Sequence, residues 1–105
     1  MRIGINSFSW VSPFTTQHSP LLRKVKDFGY DIFEMATEEP EKIDLKAVKT
    51  AAAESGIDII VCGVFGGDRD LSSPEKAIRD NGMAYLRWAI NAAEYLGSPC
   101  VSGPM

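Results

Sequence analysis

The sequence contains one histidine and two cysteines in 105 residues, too few for a disulfide-rich fold or a His/Cys metal site. Metal centres draw their ligands from clustered His, Cys, Asp and Glu, and no second such residue stands at ligand spacing from His18. We expect His18 to be an exposed loop residue. Cys62 and Cys100 both fall in predicted strands, which predicts buried, reduced thiols and no disulfide.

Long apolar runs and an excess of basic charge are also missing. No window approaches the roughly 18 uninterrupted apolar residues of a membrane span, and the first residues lead into a predicted strand without the apolar core of a signal peptide. With 11 Lys and Arg against 14 Asp and Glu, the net charge is −3, whereas nucleic-acid-binding proteins carry clustered basic residues. We therefore expect a cytoplasmic protein that binds neither nucleic acid nor membrane.

What the sequence contains is a regular alternation of strand and helix patterns. Residues 57–62 are almost continuously apolar and β-branched, which is typical of a parallel strand covered on both faces. Ser72 and Glu75 form a capping-box pattern with Pro74 in the first turn, and predict the start of a long helix. One stripe of residues then recurs every three or four positions up to Gly97, which ends the helix: Ile78, Gly82, Leu86, Ala89, Ala93 and Leu96. Similar signals predict strands at 2–6, 31–35 and 98–103, a helix at 20–28, and a helix that Asp44 caps and that ends at Gly56.

Each predicted helix ends at a glycine that leads almost directly into the next strand, while the connections after the strands are longer. Short αβ and long βα connections are typical of (β/α) barrels and of doubly wound sheets. The pattern supplies four parallel strands, and a (β/α)8 barrel has about 250 residues. We therefore predict an α/β fold in which residues 1–105 are the N-terminal half of a TIM-barrel domain. A complete four-stranded flavodoxin-like sheet is the alternative.

Several segments, taken together, resemble one family of sugar enzymes. They are residues 3–5 with Ser9 and Trp10, residues 28–34, residues 70–82, residues 96–99 and residues 102–103. The most specific is 70–82, because its loop, helix start and helix register match together. These segments resemble the D-tagatose/D-psicose (allulose) 3-epimerases, ketose 3-epimerases of the xylose-isomerase-like TIM barrels. The resemblance runs over essentially the whole chain.

The resemblance implies a metal-dependent enzyme that inverts C3 of a free ketose. In this family a divalent ion, commonly Mn²⁺ with Mg²⁺ or Co²⁺ as alternatives, polarises the substrate oxygens. Two glutamates move the C3 proton through an enediolate. The metal ligands, two Glu, one Asp and one His, come from later strands of the barrel. We therefore expect no catalytic or metal-ligating residue in this chain, no activity of the chain alone, and a full-length enzyme that is a dimer or tetramer.

By the same resemblance, this part of the barrel contributes walls of the substrate pocket. The matching positions are Asn6, Phe14, Cys62, Gly103 and Pro104. Relatives often carry an aromatic residue at the first position and Trp at the second, so the resemblance implies a substrate preference that differs from theirs.

Glu34 and Trp10 complete the set of candidate pocket residues. Glu34 ends the second predicted strand and by analogy points into the barrel, where it would either bind a sugar hydroxyl or hold a structural hydrogen bond. Trp10 belongs with Phe8 and Phe14 to an aromatic loop. A sugar packs its C–H face on such rings, but the rings could instead close the top of the barrel. The glycine-rich loop at 63–67 matches no phosphate-binding motif and predicts a flexible lid or turn.

Two other classes of function stay open at this point. Hydroxypyruvate isomerase, inosose dehydratase and the pentulose-phosphate epimerases share the barrel superfamily and would differ in their pocket residues. A non-enzymatic flavodoxin-like binding module is the third hypothesis. A receiver module would need an acidic cluster after the first strand, where this sequence has Asn6 and Ser7.

Overall fold

The computed structural model describes residues 1–104, which form a parallel sheet with α-helices and short 3₁₀ turns in the connections. The strands are β1 (Gly4–Asn6), β2 (Ile32–Ala36), β3 (Asp58–Cys62) and β4 (Val101–Ser102). The helices are α1 (Leu21–Asp27), α2 (Leu45–Ser55) and α3 (Lys76–Leu96). All three neighbouring strand pairs are parallel, in the order β1-β2-β3-β4.

This strand order separates the two predicted folds. A flavodoxin-like sheet places its strands in the order 2-1-3-4 with helices on both faces, whereas consecutive strands of a TIM barrel lie side by side in chain order. Every second residue of β2 and β3 is fully or almost fully buried against the helices: Phe33, Met35, Ile59 and Val61. We call the face of the sheet that carries these four side chains the outer face. The flavodoxin-like alternative is therefore excluded, and the barrel prediction is confirmed in its topology.

Within residues 1–104, the prediction that both faces of β3 are covered holds on the helix side and only in part on the opposite side, where Cys62 is buried. Asp58 is exposed and Ile60 is half-buried, while their neighbours Ile59 and Val61 are buried. The apolar, β-branched composition of this strand favours extended backbone on either face. The composition of β3 therefore does not indicate on which of its faces the helices pack.

The second helix begins and ends where the sequence predicts. The Asp44 carboxylate accepts hydrogen bonds from the backbone N–H groups of Lys46 (3.0 Å) and Ala47 (3.2 Å) and so caps the helix. Gly56 ends it with φ of +71°, a left-handed conformation that glycine adopts without strain. The first helix starts one residue later than predicted, since Pro20 precedes it.

The capping box predicted at the start of the long helix is wrong, because Ser72 is held elsewhere. The Asp70 carboxylate accepts hydrogen bonds from the Ser72 backbone N–H (2.8 Å) and hydroxyl (2.6 Å), which forms a tight polar turn. Ser73 then accepts from the Glu75 N–H at 3.1 Å. The helix begins only at Lys76, and Pro74 precedes it instead of lying in its first turn.

The buried stripe of α3 is made mostly of small residues. Its buried positions are Gly82, Tyr85, Ala89, Ala92 and Ala93. The predicted stripe contained Gly82, Ala89 and Ala93 correctly, but it also placed Ile78, Leu86 and Leu96 in the core, and these are only half-buried. Small side chains allow the helix backbone to pack close to its neighbours.

Two further sequence predictions need correction. Cys100 is exposed, because the last strand contains only Val101 and Ser102 and begins after it. His18 is half-buried: its Nδ1 accepts a hydrogen bond from the Thr15 backbone N–H at 3.1 Å. Cys62 is buried, as expected. Within residues 1–104, none of the helices combines the length and the apolar character needed to cross a lipid bilayer.

Candidate functional site

Polar side chains gather on the face of the sheet opposite the helices, which we call the inner face. Each strand contributes one residue: Asn6, Cys62 and Ser102 end their strands, whereas Glu34 lies in the middle of β2 and not at its end as predicted. The strand register pairs Asn6 with Glu34, and Cys62 with Ser102. Because side chains alternate between faces with a period of two, these four side chains share one face. We call them the inner-face cluster.

The closest contact in this cluster joins two strands that are not neighbours. The Ser102 hydroxyl on β4 donates a hydrogen bond to Oε1 of Glu34 on β2 at 2.6 Å. A carboxylate accepts hydrogen bonds with both oxygens, so the second oxygen of the half-buried Glu34 can accept from a further donor. The contact fixes the direction of the Glu34 carboxylate across the end of β3.

Cys62 lies between these groups and is buried. Burial raises the pKa of the Cys62 thiol, the side chain of Asn6 lowers it in part, and the charge of Glu34 raises it further. A thiol whose pKa is raised stays protonated at neutral pH and is a poor nucleophile. The arrangement therefore favours Cys62 as a neutral pocket-lining group and argues against cysteine catalysis.

Asn6 is held by the turn that follows its strand. Its Oδ1 accepts a hydrogen bond from the Phe8 backbone N–H at 2.9 Å and caps the 3₁₀ turn Ser7–Ser9. The neighbouring Ser7 is fully buried, and its hydroxyl accepts from the Ala36 N–H at 3.0 Å. With the Asn6 carbonyl engaged, the side-chain NH₂ is the part of this residue that can donate to a ligand.

The aromatic residues of the first loop do not join this cluster. Phe14 is fully buried and its ring packs on Phe33 with centroids 5.5 Å apart, so it belongs to the core. Trp10 is half-buried and its ring is parallel to that of Phe28, just after α1, at 6.4 Å. Trp10 also borders a surface groove of about 730 Å³, which is lined by loop residues 10–13 and 15–18 and by Lys42.

Gly103 and Pro104 contact the loop after β3 through their backbone. A side chain at Gly103 would overlap the Gly63 carbonyl oxygen, and the residue has φ of +127°, which explains why glycine stands here. The Phe65 backbone N–H donates to the Pro104 carbonyl at 3.3 Å. Both residues therefore lie at the rim of the inner face, where β3 and β4 end.

The first residues of the loop after β3 are held by hydrogen bonds, and a 3₁₀ turn follows at Gly67–Arg69, which favours the turn over the flexible lid among the two predicted forms. The backbone N–H of Gly63 donates to the Ser102 carbonyl at 2.6 Å, and that of Val64 donates to the Tyr85 hydroxyl at 2.9 Å. Tyr85 and Thr37 are both buried. The sequence pattern did not predict Tyr85, Thr37 or Ser102 as site residues. The available signal for Thr37 and Ser102 was a hydroxyl residue at the end of a strand.

The residues present do not fit the divalent metal ion that the resemblance implies. Among residues 1–104, no group of three or more His, Cys, Asp and Glu side chains is placed to hold a metal ion. Glu34 is the one carboxylate of the inner-face cluster, and one of its oxygens is already hydrogen-bonded to Ser102. Ligands for such an ion would have to come from outside this part of the chain.

Comparison with known families agrees with this architecture. The sequence profile of the xylose isomerase-like TIM barrel family matches residues 22–104, which is most of the chain. The chain belongs to the xylose isomerase-like TIM barrel family. The resemblance drawn from the sequence is confirmed at this level.

The family members most similar in sequence include named 3-epimerases. The chain is 28% identical over 103 residues to an L-ribulose 3-epimerase of Mesorhizobium japonicum, covering 97% of this chain and 35% of the relative. It is 26% identical over 109 residues to a D-psicose 3-epimerase of Agrobacterium fabrum, covering 100% and 37%. The chain thus spans about a third of the length of the curated relatives that it matches.

Solved structures of this family superpose closely. An L-ribulose 3-epimerase structure has a TM-score of 0.82 at 29% identity, over 97% of this chain and 35% of the other. A D-allulose 3-epimerase from Methylomonas sp. in complex with D-allulose has a TM-score of 0.89 at 22% identity, over 98% and 36%. These matches confirm the predicted barrel fold. The domain boundary predicted at residues 1–105 stays a prediction.

Proposed function

We propose that this chain forms part of the substrate-pocket wall of a ketose 3-epimerase. The observation that carries the proposal is the hydrogen bond from Ser102 to Glu34 on the inner face. It orients the one carboxylate of the inner-face cluster toward Ser102, the last residue of β4, and active sites of this fold lie at the carboxyl ends of the strands. The similarity to relatives named as L-ribulose and D-psicose 3-epimerases supports the substrate class.

The chemistry of the inner-face cluster suits a neutral polyol. Glu34 accepts hydrogen bonds from sugar hydroxyls, and the NH₂ of Asn6 donates to a sugar oxygen. No Lys or Arg stands at an inner-face position of β1 to β4. The Glu34 carboxylate would therefore repel an anionic substrate group, and no cationic side chain of these strands would offset that repulsion. We propose that the substrate is an unphosphorylated ketose.

The catalytic step lies outside this part of the chain in our proposal. Epimerisation at C3 needs an acid/base group on each face of the substrate, and the inner-face cluster offers one carboxylate with a neutral thiol. We therefore expect no turnover of D-fructose or D-tagatose by the 105-residue chain with Mn²⁺. The divalent metal and the oligomeric assembly remain predictions from the family resemblance.

Ligand-observed NMR with D-tagatose and D-fructose tests the proposal. We expect saturation transfer to the ketose in the wild type, and an affinity about 10-fold lower in Glu34→Gln, which removes a charged acceptor while preserving its shape. Lys46→Gln, which also changes one charge but on the exposed side of α2, is the matched control and should bind as the wild type does. No transfer in the wild type, equal affinity in Glu34→Gln, or preference for a ketose phosphate would overturn the proposal.

A further inference from the structure

A chain of side-chain contacts links the three loops that follow β1, β2 and β3. The Ser12 hydroxyl, in the first loop, donates to the Glu38 carboxylate in the second loop at 2.9 Å. Arg69, in the third loop, donates from Nη2 to the Glu38 carbonyl at 2.8 Å. These loops lie at the carboxyl ends of the strands, where the inner-face cluster lies.

Arg69 also binds within its own loop and to the long helix. Its Nη1 donates to the Val64 carbonyl at 3.3 Å. Its guanidinium carbon lies 4.2 Å from the centroid of the Tyr85 ring, a cation–π contact. The turn that carries Arg69 packs directly on Gly82, where an added side chain would come within 2.7 Å of the Arg69 carbonyl oxygen. The planar guanidinium thus holds two loops and one helix at once.

Tyr85 and Thr37 continue the network into the core. The Tyr85 hydroxyl donates to the Thr37 carbonyl at 2.6 Å and lies 2.7 Å from the Thr37 hydroxyl. The Thr37 hydroxyl donates to the Cys62 carbonyl at 3.0 Å. Cys62 is itself a member of the inner-face cluster, so the network ends directly behind the candidate site. We call Arg69, Tyr85 and Thr37 the rim network.

We infer that Arg69 is a positioning residue that holds the loops after β2 and β3 in the conformation that binds the ketose. The inference rests on the proposed function and extends it to a residue that touches no substrate. Its physical basis is that a ligand binds more tightly to loops that are already ordered, because their conformational entropy is lost before binding. Arginine can do this since its fixed planar donors reach several carbonyl groups together.

The experiment compares Arg69→Met and Arg69→Lys with Arg87→Met, an exposed arginine on α3. Amide hydrogen exchange and ketose affinity are measured on the 105-residue chain. We expect Arg69→Met to speed exchange of the Thr37 and Val64 amides about 10-fold and to weaken ketose binding by a similar factor. Arg69→Lys should restore part of both, because its ammonium reaches fewer carbonyl groups, and Arg87→Met should change neither.

A merely structural role would give a different pattern. It would also speed exchange of backbone amides in the strands, including those of Ile59 and Val61. A positioning role leaves the exchange of those amides unchanged. Faster loop exchange with unchanged ketose affinity, or unchanged loop exchange, would overturn the inference while the proposed function stands. A wild type that binds no ketose would overturn the proposed function and the positioning role together. Tyr85→Phe, which keeps the ring and removes the hydroxyl, separates the aromatic contact from the hydrogen bonds.

Discussion

The outer and inner faces of the sheet are built from the same strands, but the inner face is more polar and on average less buried. On β2, Phe33 and Met35 are fully buried against the helices, while Glu34 between them points the other way and is half-buried. The helices seal the outer face with apolar contacts, which stabilise the fold. The inner face carries polar groups, to which we assign a role in binding. Substitutions on the two faces should therefore affect different measurements.

The largest expected effect tests this division within one strand. Phe33→Ala should lower the free energy of unfolding by about 3–5 kcal/mol, because it leaves a cavity in the helix-covered core. Glu34→Gln, the neighbouring inner-face substitution, should change it by about 1 kcal/mol or less, the net worth of one hydrogen bond. Urea denaturation followed by circular dichroism measures both. Equal losses for the two variants would contradict the division.

A second prediction concerns the rim, where the two faces end. Gly103→Ala should destabilise the chain more than Gly66→Ala. Both glycines have positive φ, +127° and +105°, but a side chain at Gly66 meets nothing within 4 Å, whereas one at Gly103 overlaps the Gly63 carbonyl. Backbone strain alone costs about 1–3 kcal/mol, so the difference between the variants reports the overlap. The same denaturation measurement checks this prediction. Equal losses of unfolding free energy in the two variants would contradict the close contact between Gly103 and Gly63.

A third prediction uses the thiol on the inner face. Since the pKa of Cys62 is raised in the fold above its usual value of 9.0, the folded state favours the neutral thiol. This contribution to stability is present below the unfolded-state pKa and is lost as pH rises through the folded-state pKa. The wild type should therefore lose more stability than Cys62→Ala between pH 8 and about pH 11.

Other groups that titrate in this range are common to both proteins, so the difference isolates Cys62. Cys100→Ser, at the exposed cysteine, is the control and should follow the wild type. A thiol reagent should also modify Cys100 well before Cys62. Faster modification of Cys62 would show that its thiol is neither buried nor neutral.

The smallest expected effect lies on neither face. Lys76 and Asp80 form an ion pair one turn apart on α3 at 2.7 Å, with side chains 79% and 61% exposed. Lys76→Ala should lower the unfolding free energy only slightly at low salt, by less than Glu34→Gln does, and by still less at high salt because exposed pairs are screened. Denaturation at two salt concentrations measures this. A loss above that of Glu34→Gln would mean that surface charge matters more here than the inner face.

Much of the fold was predictable because its signals are local. Asp44 and Gly56 bound the second helix through cap geometry that depends on adjacent residues only. The start of α3 was not predictable from Ser72 and Glu75, since Asp70 competes for the same serine. Tyr85 lies in the buried stripe in place of Leu86 because its hydroxyl has partners in Thr37 and Val64.

Three of the four members of the inner-face cluster were named from the sequence, but their arrangement was not predictable. Asn6, Glu34 and Cys62 follow from strand ends and family resemblance, whereas the contact between Glu34 and Ser102 depends on register across three strands. Phe14 fits the aromatic pattern of a sugar site, but its burial against Phe33 makes it part of the core. Long-range pairing of this kind is not encoded in any local pattern.

The most direct test of the central claim is a protein-observed NMR titration of the 105-residue chain with D-tagatose. If the inner face binds the ketose, the side-chain amide of Asn6 and the backbone amides of Glu34, Cys62 and Ser102 should shift progressively, while those of Lys46 and Lys49 on α2 stay unchanged. Shifts confined to the groove bordered by Trp10 and Lys42, or no shifts at all, would contradict the account.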